Sequence, residues 1–366
     1  MTSPTFIDTI FRPQILTLSA YHVADAKNLI KLDAMENPYR WPDALINEWL
    51  EHLRNAELNR YPDPYATQLA AIIRTVNHIP QQSGLLLGNG SDEIIQLLLM
   101  ALPAGSQVLT PEPGFVMYKQ VSLSLGLKFL GIPLLPESFE LDLPAMLSAI
   151  EQHKPALIFL AYPNNPTGNL FDQEAIQAIL KAAPGLVILD EAYAPFANAS
   201  FMTALPEYPQ LLVMRTVSKL GLAGLRLGYI AGHPTLIEQL NKIRLPYNIN
   251  ILTQITAHFA LSNNQVFAAQ TAQICTERSR MLQQLNNLGA ITAYPSAANF
   301  ILFRTPTGIA NAIFNSLKQQ GVLIKNLTLQ GGILNDCLRV TIGTAEENNC
   351  FIAAIKIALN TCKSTT

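Results

Sequence analysis

The sequence is poor in charge. Asp, Glu, Lys and Arg make up 14% of its 366 residues, against about 25% in an average soluble protein. The 24 basic and 26 acidic residues nearly cancel, to a net charge of −2, and form no basic tract. A nucleic-acid partner therefore has no electrostatic footprint here. No run of about 18 apolar residues exists, so no membrane span is expected. Met1 to Gln14 lacks the basic start and long apolar stretch of a signal peptide, which makes a cytoplasmic location the expectation. The four cysteines, Cys275, Cys337, Cys350 and Cys362, show no CxxC spacing, and the six histidines form no HxxxH pair. Reduced thiols are expected, with neither a disulfide scaffold nor a metal site.

Apolar residues are not scarce: they make up 49% of the chain, the opposite of the balance that disorder needs. Little charge on a chain this long has two readings, a large well-buried domain or apolar surface covered by another subunit.

From about residue 85, short apolar runs alternate with helical stretches. Strands are expected at Ser106–Thr110, Ala156–Tyr162, Leu186–Leu189, Leu211–Val217 and Leu227–Ala231. Helices are expected at Phe115–Leu125 and Asp172–Ala183, with Asp172 as N-cap. Continuous apolar strands separated by helices imply an α/β fold around a mainly parallel sheet covered on both faces. Ligands of such sheets sit at the carboxyl ends of the strands. Beyond residue 250 the pattern changes. Long helices at Ile251–Leu261 and Gln265–Leu288 precede strands at Asn299–Arg304, Val322–Lys325 and Leu338–Ile342, a helix near Ile309–Gln320 and a last one over Glu346–Leu359. This reads as a smaller α+β domain.

Four polar clusters stand near strand ends or helix starts. Gly88-Asn89-Gly90-Ser91-Asp92-Glu93 opens a helix and offers either an anion site of free N–H groups or an ordinary cap by Ser91 or Asp92. Tyr162-Pro163-Asn164-Asn165-Pro166-Thr167-Gly168 is a tight turn, or a rigid loop that aims an amide at a ligand. Asp190 ends the run Val187-Ile188-Leu189, where a buried carboxylate needs a cation, unless it serves as a helix cap. Lys219, after Thr216-Val217-Ser218, is a surface charge or a nucleophile that joins an aldehyde. Together they meet the needs of one cofactor, pyridoxal 5'-phosphate: a lysine for its aldehyde, an acid for its ring nitrogen and a cup for its phosphate.

On these strings the sequence resembles the fold-type I, class-II pyridoxal-phosphate-dependent aminotransferases. Among them it is most similar to the histidinol-phosphate aminotransferase family. Further strings that carry the resemblance are Leu32-Asp33-Ala34-Met35-Glu36-Asn37-Pro38-Tyr39, Asn59-Arg60-Tyr61-Pro62-Asp63, Ala298-Asn299-Phe300 and Leu338-Arg339-Val340-Thr341. It covers roughly Tyr21 to Leu359.

The resemblance implies a large cofactor-binding domain with a seven-stranded, mainly parallel sheet at 33–262, and a small α+β domain from 1–32 and 263–366. It implies that Lys219 joins the cofactor, that Asp190 meets the ring nitrogen, and that Asn165 and Tyr193 bond the ring oxygen. Gly90, Ser91, Asp92, Thr216, Ser218 and Arg226 would form the phosphate cup, and Phe115 would stack on the ring. Tyr61 would reach the phosphate of a neighbouring subunit in a homodimer. Tyr21, Asn37 and Arg339 would contact substrate, with Arg339 clamping its anionic end. The implied reaction exchanges an amino group between L-histidinol phosphate and 2-oxoglutarate, or in reverse between imidazole-acetol phosphate and L-glutamate.

Two features depart from the family pattern. Lys325 stands where many relatives carry arginine, and a lysine gives a point charge in place of a bidentate fork. The step from Lys219 to Arg226 is one residue shorter than in many aminotransferases, although some of this family share it. Alternatives on the same residues are an aromatic or general amino-acid aminotransferase, a threonine-phosphate decarboxylase, and a non-catalytic paralogue or regulator.

Overall fold

The structure is a computed structural model that describes residues 6–20 and 22–363. In chain order its strands are β1 (Ile30–Lys31), β2 (Gly84–Gly88), β3 (Gln107–Glu112), β4 (Lys128–Pro133), β5 (Leu157–Ala161), β6 (Leu186–Asp190), β7 (Leu211–Thr216), β8 (Gly228–Gly232), β9 (Thr292–Ala293), β10 (Phe300–Arg304), β11 (Val322–Leu323), β12 (Lys325–Asn326) and β13 (Cys337–Thr341).

The large sheet has seven strands in the order β2-β8-β7-β6-β5-β3-β4. The β4-β3-β5-β6-β7 pairings are parallel, and β8 runs antiparallel to both of its neighbours. The apolar runs explain this burial. Leu109, Ile158, Leu160, Val187, Leu189 and Val213 enter a core on one face. Val108, Leu157, Phe159, Ile188, Leu212 and Met214 enter a second core on the other. The central strands β5, β6 and β7 are therefore apolar along most of their length, with polar residues only toward their carboxyl ends, as strands buried on both faces are.

Two strands of this sheet were not among the sequence expectations. β2 (GLLLG) is too short and glycine-bounded to separate from a buried helix start, and β4 (KFLGIP) is a half-buried edge strand carrying Gly131 and Pro133. The helix expected from Phe115 begins one residue later, at Val116–Ser124, with Phe115 as its N-cap. Asp172 caps the helix Gln173–Ala182 through the Glu174 N–H, as expected.

The C-terminal sheet is antiparallel, in the order β12-β13-β10-β9. Its core joins Phe300, Ile301, Phe303, Leu338 and Val340 to Ile274 and Met281 of the long helix Asn264–Asn286 and to Phe351 and Ile355 of the helix Ala345–Lys363. The single strand expected at Val322–Lys325 is two. β11 pairs in parallel with β1, Ile30 opposite Val322, while β12 pairs with β13, Lys325 opposite Arg339. The N-terminal segment thus adds a strand beside the C-terminal part of the chain. Among the described residues, no helix is long and apolar enough to cross a membrane and no cluster of His, Cys, Asp or Glu suits a metal.

Candidate active site

A cleft of about 380 Å³ opens at the carboxyl ends of β5, β6 and β7. It gathers ten of the expected residues. Ser91, Asp92, Phe115, Asn165 and Asp190 line it, as do Tyr193, Thr216, Ser218, Lys219 and Arg226.

Asp190 is the last residue of β6, and the strand carries it into the interior. Its Oδ2 accepts the Tyr118 hydroxyl at 2.6 Å and its Oδ1 accepts the Ala192 N–H at 3.1 Å. Burial pushes its carboxyl up to about 6, against the pull of those two donors. No cation of the described residues pairs with it. Its neighbour Glu191 is also buried, but points to the other side, where it accepts from Arg215 at 2.7 Å. That pair lines a larger depression of about 870 Å³. The acid and base there neutralise each other, so the smaller cleft holds the uncompensated chemistry.

Lys219 follows β7 in a wide helical turn, Ser218–Leu222, that is broken at Gly221, where φ is 122°. Its ammonium donates to the Ala34 carbonyl at 3.3 Å and lies 5.9 Å from the Tyr193 ring centre. Burial, and after it the positive charge of Arg339, brings its pKa down to about 8. Tyr193 is buried, with its ring edge-on to Phe300.

One end of the cleft is built partly from backbone. The helix Ser91–Met100 has Gly90 as N-cap and no side-chain cap, so the cap expected from Ser91 or Asp92 does not form. Its first N–H groups are left for a ligand. Gly90 has φ 81°, and a Cβ there would stand 2.7 Å from Arg226 Nη2. Arg226 crosses this opening and pairs with Asp92 at 3.1 Å. Thr216 Oγ1 and Ser218 Oγ share a hydrogen bond at 2.8 Å beside it.

On the opposite side, Asn165 lies in a turn with cis peptides before Pro163 and Pro166. Asn164 ties that turn to its surroundings through Pro113 O and Thr167 Oγ1. Arg339 of β13 is buried. One of its guanidinium nitrogens donates to Asn165 Oδ1 and the other to Asp33 O at 3.0 Å, and its charge sits 5.1 Å from the Phe300 ring centre.

Of the other expected residues, Gly90 and Arg339 adjoin the cleft, while Asn37, Lys325 and Tyr61 stand apart from its lining. Asn37 donates to Leu220 O at 3.0 Å and Gln270 Oε1 at 2.9 Å, so it braces the Lys219 turn from outside. Lys325 lies beside Arg339 across the β12–β13 register. Tyr61 is 81% exposed and stacks on Tyr247 at 4.5 Å, over a different depression that also includes Leu58 and Ile251. Tyr21 lies outside the described residues.

Sequence reasoning missed Tyr118 and the stretch Ala34–Glu36, which also lines the cleft. The available signal for Tyr118 was its place three residues after Phe115 on one helix, which puts both rings on the same side. Their rings meet edge to face at 5.5 Å.

Residues 27–355 match the family model described as aminotransferase class I and II. The chain is 56% identical over 346 residues to histidinol-phosphate aminotransferase 2 of Nitrosococcus oceani, covering 94% of this chain and 96% of that protein. It is 49% identical over 365 residues to histidinol-phosphate aminotransferase 2 of Cupriavidus pinatubonensis, covering 98% and 99%. The fold is that of the histidinol-phosphate aminotransferase from Sinorhizobium meliloti, solved in complex with pyridoxal-5'-phosphate. The TM-score is 0.87 with 23% identity, over 97% of this chain and 98% of that one.

Proposed function

The chain belongs to the class I and II aminotransferase family, among the histidinol-phosphate aminotransferases, and from that premise we propose its reaction. It transfers an amino group between L-histidinol phosphate and 2-oxoglutarate, and in reverse between L-glutamate and imidazole-acetol phosphate. The observation that carries this reading is the convergence of a half-buried lysine, a buried aspartate with no cation beside it and an uncapped helix start in one cleft.

Pyridoxal 5'-phosphate fits the cleft at three points. Asp190 is a buried acid in need of a cation, which a protonated ring nitrogen provides. The space that a Cβ on Gly90 would fill lies against Arg226, at the free N–H groups of the Ser91 helix. Lys219 is a half-buried lysine whose amine desolvation holds below its ordinary pKa. Bound there, the cofactor supplies an electrophilic aldehyde and an electron-withdrawing ring that weakens the bonds at the substrate's α-carbon.

The chain's residues do the rest. Ser91 and Asp92 would present backbone N–H groups to the phosphate beside Gly90, whose own N–H turns back to Gly88 O, while Thr216, Ser218 and Arg226 would close the cup. Phe115 would cover one face of the ring, and Asn165 and Tyr193 would bond its oxygen. Lys219 Nζ, partly neutral near pH 8, holds the proton that leaves the α-carbon and returns it nearby. One amine serves as base and then acid because it never leaves the site. Arg339, fixed by Asn165 and Asp33, offers a rigid fork to the substrate's anionic end, with Lys325 adding a second positive charge beside it. Asn37 would act on the substrate side through the loop it braces, and the family likeness assigns Tyr21 to substrate contact.

The active enzyme is a cytoplasmic homodimer in this reading, divided into a cofactor domain at 33–262 and a small domain from 1–32 and 263–366. The exposure of Tyr61 supports the dimer, since a second chain would give that ring a cofactor phosphate to meet.

An amino-donor panel on the purified holoenzyme tests the function. L-histidinol phosphate is expected to convert the bound cofactor fastest, followed spectrally, with 2-oxoglutarate restoring it. Faster conversion by phenylalanine, or release of carbon dioxide from threonine phosphate, would replace this reading with one of its alternatives.

A further inference from the structure

Tyr118 has no part in the assignments above, yet it is the only side chain that donates to Asp190 among the described residues. We propose that Tyr118 is a positioning residue that pins the Asp190 carboxylate in one orientation and keeps it ionised beneath the cofactor nitrogen. The proposal rests on the reading of Asp190 as the partner of that nitrogen.

The carboxylate is held at both ends, Oδ2 by Tyr118 and Oδ1 by the Ala192 N–H. With both oxygens fixed, the group cannot swing about its last torsion, and the remaining lone pairs keep one direction. Tyr118 is itself immobile. Its ring stacks on Phe159 of β5 at 4.3 Å and 2°, and meets the edge of Phe115 at 5.5 Å. The hydroxyl is thus placed by the sheet and by the same aromatic that lines the cleft.

The electrostatics agree with this geometry. The charge of Asp92, and that of Glu191 on the other side with Arg215, favour the protonated form of Asp190, as burial does. The Tyr118 hydroxyl and the Ala192 N–H act the other way. Burial and the nearby Asp190 push the Tyr118 phenol well above its ordinary value, and Tyr193 and Asp92 add to this. Tyr118 therefore stays a neutral donor across the working pH range. Without its proton, the acid would keep one donor, the Ala192 N–H, against burial and the charge of Asp92.

Tyr118→Phe tests this, because it keeps both ring contacts and removes only the hydroxyl. In the cofactor-free chain, the Asp190 carboxyl is followed by isotope-edited infrared or carbon NMR. Its titration midpoint is expected to rise by about one pH unit or more. In the holoenzyme, kcat is expected to fall about tenfold with KM within about twofold, and the acid limb of the rate profile to move to higher pH. An unmoved midpoint and acid limb in a folded, cofactor-binding variant would overturn the proposal. If Tyr118→Phe does not fold, replacing Tyr118 by 3-fluorotyrosine, a stronger donor of nearly the same shape, carries the test. The midpoint is then expected to fall, and a midpoint that stays in place rejects the role. Asp190→Asn keeps the two readings distinguishable. Unaltered cofactor affinity in that variant would remove Asp190 from the ring nitrogen, while the cofactor-free titration would still report on Tyr118.

Discussion

Lys219 takes a backbone carbonyl, that of Ala34, as its hydrogen-bond partner at 3.3 Å, not a carboxylate. A carbonyl satisfies a donor without locking a charge, so burial sets the amine's acidity, and Arg339 pushes it further the same way. In the cofactor-free chain, Lys219 is expected to react with reductive-methylation reagents along a curve centred near pH 8. Ordinary lysines follow a curve centred near about 10.4. Mass spectrometry of the Lys219 peptide across pH reads this directly. Lys219→Ala is expected to abolish turnover and the absorbance of lysine-linked cofactor, and turnover in that variant would reject the assignment.

Gly90 carries the phosphate end. Gly90→Ala forces an L side chain into the left-handed region and meets Arg226 at 2.7 Å. The strain is expected to cost about 1–2 kcal/mol of stability. Arg226 would swing aside, and cofactor affinity is expected to fall roughly tenfold, about 1.4 kcal/mol. Equilibrium dialysis against the free cofactor measures it, and wild-type affinity would separate Gly90 from the phosphate.

Asp190 leaves a mark on stability as well. Its folded pKa of about 6 lies above the ordinary 3.8, so between those values the folded chain binds more protons than the unfolded one. Stability of the cofactor-free chain therefore falls as pH rises from 4 to 6 and is flat above, by about 3 kcal/mol in all. Asp190→Asn is expected to lack that slope in urea titrations. The same slope in both proteins would mean that another group titrates there.

Arg339 is held by Asn165 and Asp33, so its removal alters the substrate pocket more than the fold. Arg339→Ala is expected to raise KM for both L-histidinol phosphate and 2-oxoglutarate by about 10- to 100-fold, with cofactor affinity intact. Arg339→Lys is expected to recover only part of this, because an ammonium cannot supply the fork. Unchanged KM values in either assay would take Arg339 out of the substrate site.

Tyr61 makes the shared site testable by mixing. Tyr61→Ala and Lys219→Ala homodimers are each expected to be impaired, the second fully. Mixed dimers recover one intact site, so remixing is expected to restore about a quarter of wild-type activity. Remixing that restores nothing beyond the Tyr61→Ala background would confine each site to a single chain.

What the sequence made legible follows the range over which each signal acts. The central strands were readable because burial on both faces makes β5, β6 and β7 almost wholly apolar. The chemistry-bearing strings were readable because a strand end and its loop are contiguous: Asp190 ends β6 and Lys219 follows β7. Edge strand β4 was not, since half-burial and Gly131 erase the pattern. Nor was the break at Ile324, where the chain passes from β11 to β12 and so from one sheet to another. Tyr118 escaped because its partner lies 72 residues away, and a hydrogen bond across that separation leaves no local trace. Asn37 was legible as part of a string, but its contacts with Leu220 and Gln270 depend on how remote segments meet.

The pleat at the end of β6 sends two consecutive carboxylates to opposite sides of the sheet, Asp190 to the cleft and Glu191 to Arg215. One is held ready for a visiting cation, and the other is permanently neutralised by a resident one. Parity along the strand is what tells these acids apart. A one-residue insertion between Leu186 and Leu189 would exchange their positions. Glu191 would then be without its guanidinium, and Asp190 would be carried to the wrong side of the sheet. The segment thus works as a fixed-phase address, tolerant of which apolar residue fills each place and intolerant of any change in their number.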